Sequence, residues 1–334
     1  MCRTTSIRAL AATAFAGACL WLGAVRGASA PAGRWYKGNL HTHTINSDGD
    51  SSPDEVTRWY KEHRYDFLVL TDHNYLTSVD GLNALLGAAE KFLVVRGEEV
   101  TDRFEKKPIH VNALNPKQLV EPQGGSSVLE TLQRNVDAIR RAGAAPSVNH
   151  PNFGWAITAD DLRRLQNDRL FELYNGHPQV NNLGGGGSPS LEQVWDICLS
   201  SGRQLFGIAV DDAHYFKRFA PELSNPGRGW VGVRARELSA EALMEALERG
   251  DFYASTGVVL GEVVRAAGDL RVEIKTAGPL KYTTEFIGEN GKVLKTTFEN
   301  PASYTLAAGD RYARARVTAS SGEIAWTQPV FRVQ

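Results

Sequence analysis

Cysteine is scarce in this chain, and its placement excludes a disulfide framework. Only three cysteines occur in 334 residues. Cys2 and Cys19 lie in an N-terminal segment that resembles a leader, so Cys198 would be alone in the mature protein. Cys198 falls in a run with helical spacing of apolar residues, where we expect a buried apolar residue and not a nucleophile. Stability must therefore come from core packing.

A large charge excess and low-complexity composition are also absent. The formal net charge is −1, with 42% hydrophobic and 22% charged residues. These values exclude a disordered or collagen-like chain and argue against a stable nucleic-acid partner. No Gly-x-Ser-x-Gly segment occurs, which disfavours a serine hydrolase.

The first 32 residues have the pattern of a signal peptide. Arg3 and Arg8 precede an uncharged run from Ala9 to Val25, and small residues follow at 28–30. Cleavage after position 30 or 32 would export the protein to the periplasm or the extracellular space, with no membrane attachment afterwards. An uncleaved anchor is an alternative, although the apolar run is short for a span. A lipid attachment at Cys19 has only a loose sequence match.

Residues 33–256 alternate short apolar runs with amphipathic stretches. This pattern predicts a parallel sheet, open or closed into a barrel. Predicted helices begin at Ser52-Pro53 and cover Val128–Arg141, Leu191–Leu199 and Ala240–Glu248. The predicted strands are Trp35–Leu40, Phe67–Thr71, Phe92–Arg96, Ile109–Leu114, Ala145–Asn149, Leu170–Tyr174, Leu205–Val210 and Trp230–Arg234.

Residues 257–334 change to a period of two. Alternation in Leu270–Lys275 and Tyr312–Thr318, with an Asn290-Gly291 turn between apolar pairs, predicts strands and a hairpin. We expect a small all-β, sandwich-like domain that supplies no metal ligand. The four glycines at 184–187 fit a flexible surface loop better than a phosphate-binding loop.

Histidines carry the chemical signal. One histidine at a strand end is usually structural, but six of them with acids at one rim favour a metal site. His41 and His43, two residues apart, point to the same side of an extended segment, as do Asp212 and His214. Glu98 could bridge two cations, and paired cations suit phosphoester hydrolysis by lowering the pKa of a bound water. The six histidines at predicted strand ends are His41, His43, His73, His110, His150 and His214, and the accompanying acids are Asp48, Asp72, Glu98, Asp211 and Asp212.

Six motifs occur in order along residues 39–214: Asn39-Leu-His-Thr-His-Thr with Ser47-Asp-Gly, Leu70-Thr-Asp-His-Asn, Gly97-Glu98, His110, Asn149-His150-Pro151 and Asp212-Ala-His214. In this order the motifs resemble those of the PHP (polymerase and histidinol phosphatase) family of metal-dependent phosphoesterases. The resemblance implies a distorted (β/α)7 barrel over 33–256. The leader and the segment from 257 onward resemble a secreted branch in which a β-sandwich follows the barrel.

The resemblance also implies two to three divalent transition metals: zinc, manganese or iron. The first metal position would use His41, His43, Glu98 and Asp212. The second would use Glu98, His110 and His150. The third would use Asp48, His73 and His214. Asp48 stands where the family often has histidine, which favours manganese or iron there. Asp72 is expected to orient a ligand, and Asp211 to be structural.

Substrate contacts are harder to assign. His177 follows a predicted strand and could reach the substrate, whereas His63 fits a solvated helix end. Basic residues that could contact phosphate are Arg103, Lys106, Lys107, Arg218 and Arg228.

The leading hypothesis is an exported phosphoesterase that cleaves a phosphate monoester or diester. Its substrate would be small: a nucleotide, a sugar phosphate or another phosphodiester. Two alternatives stay open, a metal-dependent amide or lactone hydrolase and a non-catalytic binding protein that uses the barrel and the β domain.

Overall fold

The structure is a computed structural model that describes residues 33–87, 91–266 and 268–332, together with Met1. The predicted signal peptide therefore lies outside the described residues except at Met1. The helices are α1 (Pro53–Glu62), α2 (Asp80–Leu86), α3 (Val128–Arg141), α4 (Ala159–Arg164), α5 (Leu191–Ser200) and α6 (Ala240–Arg249). The strands are β1 (Arg34–Asn39), β2 (Phe67–Leu70), β3 (Leu93–Phe104), β4 (Lys107–Leu114), β5 (Ala145–Val148), β6 (Leu170–Asn175), β7 (Phe206–Val210), β8 (Trp230–Ala235), β9 (Phe252–Ser255), β10 (Leu260–Ala266), β11 (Asp269–Ile274), β12 (Tyr282–Ile287), β13 (Val293–Thr297), β14 (Ala302–Thr305), β15 (Tyr312–Ala319), β16 (Ile324–Thr327) and β17 (Val330–Phe331).

The first seven strands form a mostly parallel sheet in chain order. β1, β2 and β3 are parallel to one another, and so are β5, β6 and β7. A parallel bridge between Thr42 and Ala213 joins the chain just after β1 to the chain just after β7, so the first and seventh strands meet. The expected α/β fold with a large central sheet is therefore confirmed.

Strand β4 departs from the expected parallel order. It pairs antiparallel with both β3 and β5, because a tight hairpin at Glu105 (φ 54°) replaces a crossover helix. Strand β8 is likewise antiparallel to β1. The antiparallel β4 matters for the site because its register with β3 decides which side chains share a face.

Local sequence signals explain where the helices begin. Ser52 caps α1 in a capping box with Glu55, and Pro53 occupies the first turn. Helix α3 has the predicted bounds, whereas the short helices α2 and α4 were not predicted. In the part of the chain that the structure describes, no helix has the length and apolar character required to cross a membrane.

The chain after residue 257 forms strands, as predicted, but they do not make an isolated sheet. Strands β13, β12, β15 and β16 continue the barrel sheet through the antiparallel pair β16–β9. Strands β10, β11 and β14 form a second sheet, and side chains of both sheets share one buried core that includes Val272 and Phe286. The predicted Asn290-Gly291 hairpin joins β12 to β13.

A buried ion pair attaches β15 to helix α5. Arg314, with 1% of its side chain exposed, donates from Nε and Nη2 to the Asp196 carboxylate at 2.8 and 2.7 Å. Tyr312 also donates its hydroxyl to Asp196 at 3.0 Å, and the Arg314 guanidinium lies 4.9 Å from the Trp195 ring centre. The contact therefore couples the C-terminal strands to the barrel.

We expect Arg314→Ala to lower the free energy of unfolding by about 3–5 kcal/mol, because it leaves Asp196 buried without its cation. Urea unfolding followed by circular dichroism measures the change. Arg271→Ala removes the exposed pair with Glu273 and serves as the control, with an expected change of about 0–1 kcal/mol. Equal effects of the two substitutions would show that the buried pair does not hold the strands to the barrel.

Candidate metal centre

Most of the predicted ligands converge at one end of the central sheet. Since the carboxyl ends of parallel strands meet at one edge, loops that are distant in sequence bring their side chains together there. The converging residues are His41, His43 and Asp48 after β1, His73 after β2, His110 on β4, His150 after β5, and Asp212 and His214 after β7.

Glu99, and not the predicted Glu98, is the carboxylate at the centre of this cluster. Neighbouring residues of a strand point to opposite faces, so only one of the two glutamates of β3 can face the histidines. The β3–β4 register pairs Thr101 with His110 and Glu99 with Asn112, which places Glu99 on the face of His110. The bridging role predicted for Glu98 is therefore corrected to Glu99.

Glu98 points to the opposite side of the sheet. Its Oε2 accepts a hydrogen bond from the Val120 backbone N–H at 2.8 Å, and its Oε1 has no partner in the described part of the chain. Desolvation by burial raises the pKa of Glu98 to about 7. A carboxyl with a raised pKa and no cation nearby is a poor candidate for a metal ligand.

Three residues, His41, His43 and Asp212, present ligand atoms close enough together to hold one cation. His41 Nε2 lies 3.1 Å from His43 Nε2, 3.2 Å from Glu99 Oε2 and 3.3 Å from Asp212 Oδ1. His43 Nε2 lies 3.3 Å from Glu99 Oε2 and 3.2 Å from Asp212 Oδ1. These three donors, with Glu99 Oε2 beside both histidines, are nitrogen and oxygen ligands of the kind that zinc and similar ions take.

The second oxygen of Glu99 faces a different pair of histidines. Glu99 Oε1 lies 2.9 Å from His110 Nδ1 and 3.3 Å from His150 Nε2, while Oε2 lies 3.0 Å from His73 Nδ1. The two oxygens of one carboxylate thus serve two groups of nitrogen atoms. This arrangement is what a ligand shared by two cations requires.

Asp48 provides the oxygen of a third group. Asp48 Oδ1 is 3.3 Å from His214 Nε2 and 3.6 Å from His43 Nδ1, and Oδ2 is 3.7 Å from His73 Nε2. Asp48 is half exposed, so this group lies at the entrance of the site. The structure therefore brings together the residues predicted for the third position.

The buried charges of the cluster stabilise one another. Burial alone would lower the pKa of His43, but Asp212 and Glu99 outweigh it and raise the pKa to about 9. Burial would raise the pKa of Glu99, yet His73, His41 and His110 hold it well below its ordinary value. The carboxylates are therefore ionised at neutral pH, which is the form that ligates metals.

These ligands are oriented by a buried glutamate that the sequence analysis missed and by the asparagine of the Asn149-His150-Pro151 motif. Glu172 lies on β6, and its Oε1 is 2.6 Å from His41 Nδ1. Its Oε2 accepts a hydrogen bond from the His150 backbone N–H at 2.8 Å. Asn149 donates from Nδ2 to Glu99 Oε1 at 2.8 Å. A carboxylate on the far nitrogen of a histidine fixes its ring and tautomer, a recurrent feature of metal sites. The sequence feature that could have identified Glu172 is its position as an acidic residue inside the apolar run Leu170–Tyr174.

Asp72 and Asp211 occupy the supporting positions expected for them. Asp72 accepts hydrogen bonds from the Thr44 backbone at 2.7 Å and from Ser47 Oγ at 2.9 Å, and Ser47 Oγ lies 3.3 Å from His43 Nδ1. Asp211 accepts from the Tyr60 hydroxyl at 2.9 Å and from two backbone N–H groups of the β7–β8 loop. Neither aspartate faces the cluster as a ligand.

His177 borders the pocket over the cluster, which has a volume of about 220 Å³. Its ring centre is 5.7 Å from that of His214 and 6.2 Å from that of Phe153. Desolvation lowers the pKa of His177, and its Nδ1 accepts the Gln179 backbone N–H at 3.2 Å. The neutral ring therefore carries its proton on Nε2, as a hydrogen-bond donor.

His63, by contrast, stacks on Trp59 at the exposed end of α1, as predicted.

The structure brings none of the predicted phosphate-binding cations to the pocket. Among the residues that the structure describes, no lysine or arginine lines it. Arg103 and Lys106 are exposed near the tip of the β3–β4 hairpin, and Arg218 is exposed on the loop after β7. The Arg228 guanidinium donates to the carbonyls of Gly176 and Ala220 at 3.0 and 3.1 Å. Contact of these four side chains with a substrate stays a prediction, and none of the four lines this pocket.

Comparison with known proteins identifies related folds. No protein-family model and no curated protein matches the sequence. The chain is similar to a two-domain protein from Bacteroides vulgatus containing a predicted PHP-like metal-dependent phosphoesterase, with 17% identity over 90% of this chain and 96% of that chain and a TM-score of 0.52. A weaker match is a lesion-specific endonuclease from Pyrococcus furiosus, with 11% identity over 65% of this chain and 56% of that chain and a TM-score of 0.40. Another is an amidohydrolase from Chromobacterium violaceum, with 16% identity over 56% of this chain and 93% of that chain and a TM-score of 0.37. The first match shows a shared fold, so the resemblance to PHP-like phosphoesterases is confirmed at that level.

We expect Glu99→Gln to reduce the metal content of purified protein by at least one ion per chain, because both carboxylate oxygens contact histidine groups. Elemental analysis of protein purified without chelator measures it. Glu98→Gln is the matched control on the same strand and should keep the wild-type metal content. Loss of metal in Glu98→Gln but not in Glu99→Gln would reinstate the sequence-based assignment.

Proposed function

We propose that this protein is an exported, metal-dependent phosphoesterase with a PHP-type (β/α)7 barrel and a C-terminal β-sandwich-like domain. The observation that carries the proposal is the Glu99 carboxylate, which presents each oxygen to a separate group of histidines. Together the groups offer positions for two to three divalent ions, of which zinc, manganese and iron suit these ligands. Bound there, such ions would supply an activated water and would neutralise phosphate oxygens.

The residues of the chain itself hold the site in place and contact the substrate. His41, His43, Asp212 and His214 hold their positions through loops closed by the Thr42–Ala213 bridge. His177 lines the pocket, and because its Nδ1 accepts the Gln179 backbone N–H, its Nε2–H is the group that can donate a hydrogen bond to a phosphate oxygen or to the leaving oxygen. The 220 Å³ pocket admits a phosphoryl group and the atoms next to it. The substrate is accordingly a small phosphoester, a nucleotide, sugar phosphate or other phosphodiester.

One observation favours a second candidate function, hydrolysis of an amide or a lactone. The described lining of the pocket contains no lysine or arginine, and a neutral substrate needs no such cation. Both candidate reactions use the same ligands, so the choice between them depends on substrate assays.

The test compares p-nitrophenyl phosphate, bis(p-nitrophenyl) phosphate and p-nitrophenyl acetate as substrates. We expect hydrolysis of at least one phosphoester, lost on chelation and restored by zinc, manganese or iron. His177→Ala should lower kcat/KM about a hundredfold through loss of a donor to developing charge. His63→Ala, which removes an exposed histidine, is the control and should match the wild type. Metal-dependent cleavage of the acetate alone would support the second candidate function instead.

Export is part of the proposal and rests on the N-terminal sequence. The charged start, the apolar run and the small residues at 28–30 predict removal of the leader. N-terminal sequencing of protein from the native host should find a start between Pro31 and Gly33. A start at Met1 or Cys2 would contradict export through a cleaved signal peptide.

A further inference from the structure

A second, larger cavity opens beside the candidate metal centre. It has a volume of about 970 Å³ and lies between the loop after β6, the start of α5 and strands of the C-terminal region. His177 lines both this cavity and the metal pocket. A molecule held at the metal centre could therefore extend past His177 into this cavity, which we call the interdomain cleft.

The charged side chains of the interdomain cleft are already paired. Arg314 donates to Asp196 at 2.7 Å, and Arg316 is bonded to Glu285 at 2.7 Å and lies 3.3 Å from Glu192. Two guanidinium groups thus face three carboxylates. Arg314 Nη1 has no partner among the described residues, but that side chain is only 1% exposed. Because carboxylates balance both guanidinium charges, the cleft does not suit a second phosphate or another anionic group.

Uncharged polar and aromatic groups make up much of the remaining wall. The Tyr174 and Trp326 rings stack with centres 6.3 Å apart, and Asn181, Gln193 and Asn290 contribute side-chain amides. Amides and aromatic rings together suit a ligand that carries several hydroxyl groups but no charge.

We propose that the interdomain cleft binds the non-reacting part of the substrate, and that this part is an uncharged, hydroxyl-bearing group of the glycosyl type. This inference rests on the proposed phosphoesterase function and adds the substrate class. The C-terminal strands then contribute to specificity, because β13, β15 and β16 form one wall of the cleft while the metal ligands lie before residue 257.

Val293 offers a way to fill the cleft from the C-terminal side. It lies on β13, lines the cleft and is 44% exposed. Tryptophan is well tolerated on strands, so Val293→Trp should fold and occupy the space. Val259 is 39% exposed and lies outside the cleft, which makes Val259→Trp a matched control. Thermal unfolding of both variants checks that they fold.

The experiment measures calorimetric binding of three non-hydrolysable probes to metal-analysed protein. These are methylphosphonate, the methylenephosphonate analogue of glucose 1-phosphate, and a 6-phosphonate probe, in which a second C–P-linked phosphonate replaces the 6-hydroxyl of that analogue. Wild type and Val259→Trp should bind the glucosyl probe about tenfold more tightly than methylphosphonate, an advantage of one or two hydrogen bonds. Val293→Trp should lose this advantage, and the second phosphonate of the 6-phosphonate probe should add none.

Three results would overturn the proposal: no glucosyl advantage in the wild type, an advantage that survives in Val293→Trp, or much tighter binding of the 6-phosphonate probe. The wild-type hydrolysis assay separates this failure from that of the proposed function. If p-nitrophenyl phosphate is cleaved but the glucosyl probe has no advantage, the phosphoesterase stands and the cleft assignment falls. If no phosphoester is cleaved, the proposed function falls whatever the cleft binds.

Discussion

The contact of one buried carboxylate with five histidines is the constraint on which the site depends. Glu99 is 1% exposed, and its charge is tolerable only because imidazole nitrogens surround both oxygens. Those histidines come from the segments after β1, β2 and β5 and from β4. The closure of the sheet at Thr42–Ala213 brings the first and last of the ligand-bearing loops within reach. The closure of the sheet and the balance of charge within the site therefore depend on each other.

Acids that do not face the cluster fix the loops that carry it. Glu172 connects His41, after β1, with the backbone at His150, after β5, so one side chain on β6 ties two loops together. Asp72 does the same for the Thr44–Ser47 turn, and Asp211 for the β7–β8 loop. Each of these carboxylates is buried and accepts several hydrogen bonds. A rigid support of this kind holds ligands at fixed separations before any ion binds.

The sequence allowed the first eight strands, helix α3 and the histidines of the cluster to be predicted, because their signals are local. The choice of Glu98 over Glu99 was wrong because it depends on the face of β3, which the pairing with β4 decides. The hairpin at Glu105 fixes that pairing, and with it the partnership of Thr101 with His110. Likewise, the continuation of the barrel sheet through β16 and β9 joins residues about seventy positions apart, for which no local pattern exists.

The distribution of charge separates two tasks within the active-site region. The candidate metal pocket has carboxylates and histidines but no lysine or arginine in its described walls, so any affinity for an anion would depend on bound cations. Under the proposed phosphoesterase function, metal occupancy and phosphate binding would be linked, and the pocket alone would discriminate weakly among phosphoesters. The neighbouring walls, built partly from β13, β15 and β16, have their charges paired internally through Asp196, Glu192 and Glu285. Under the same proposal, selectivity for the organic part of the substrate would fall to shape and neutral hydrogen bonds at the junction of barrel and C-terminal strands.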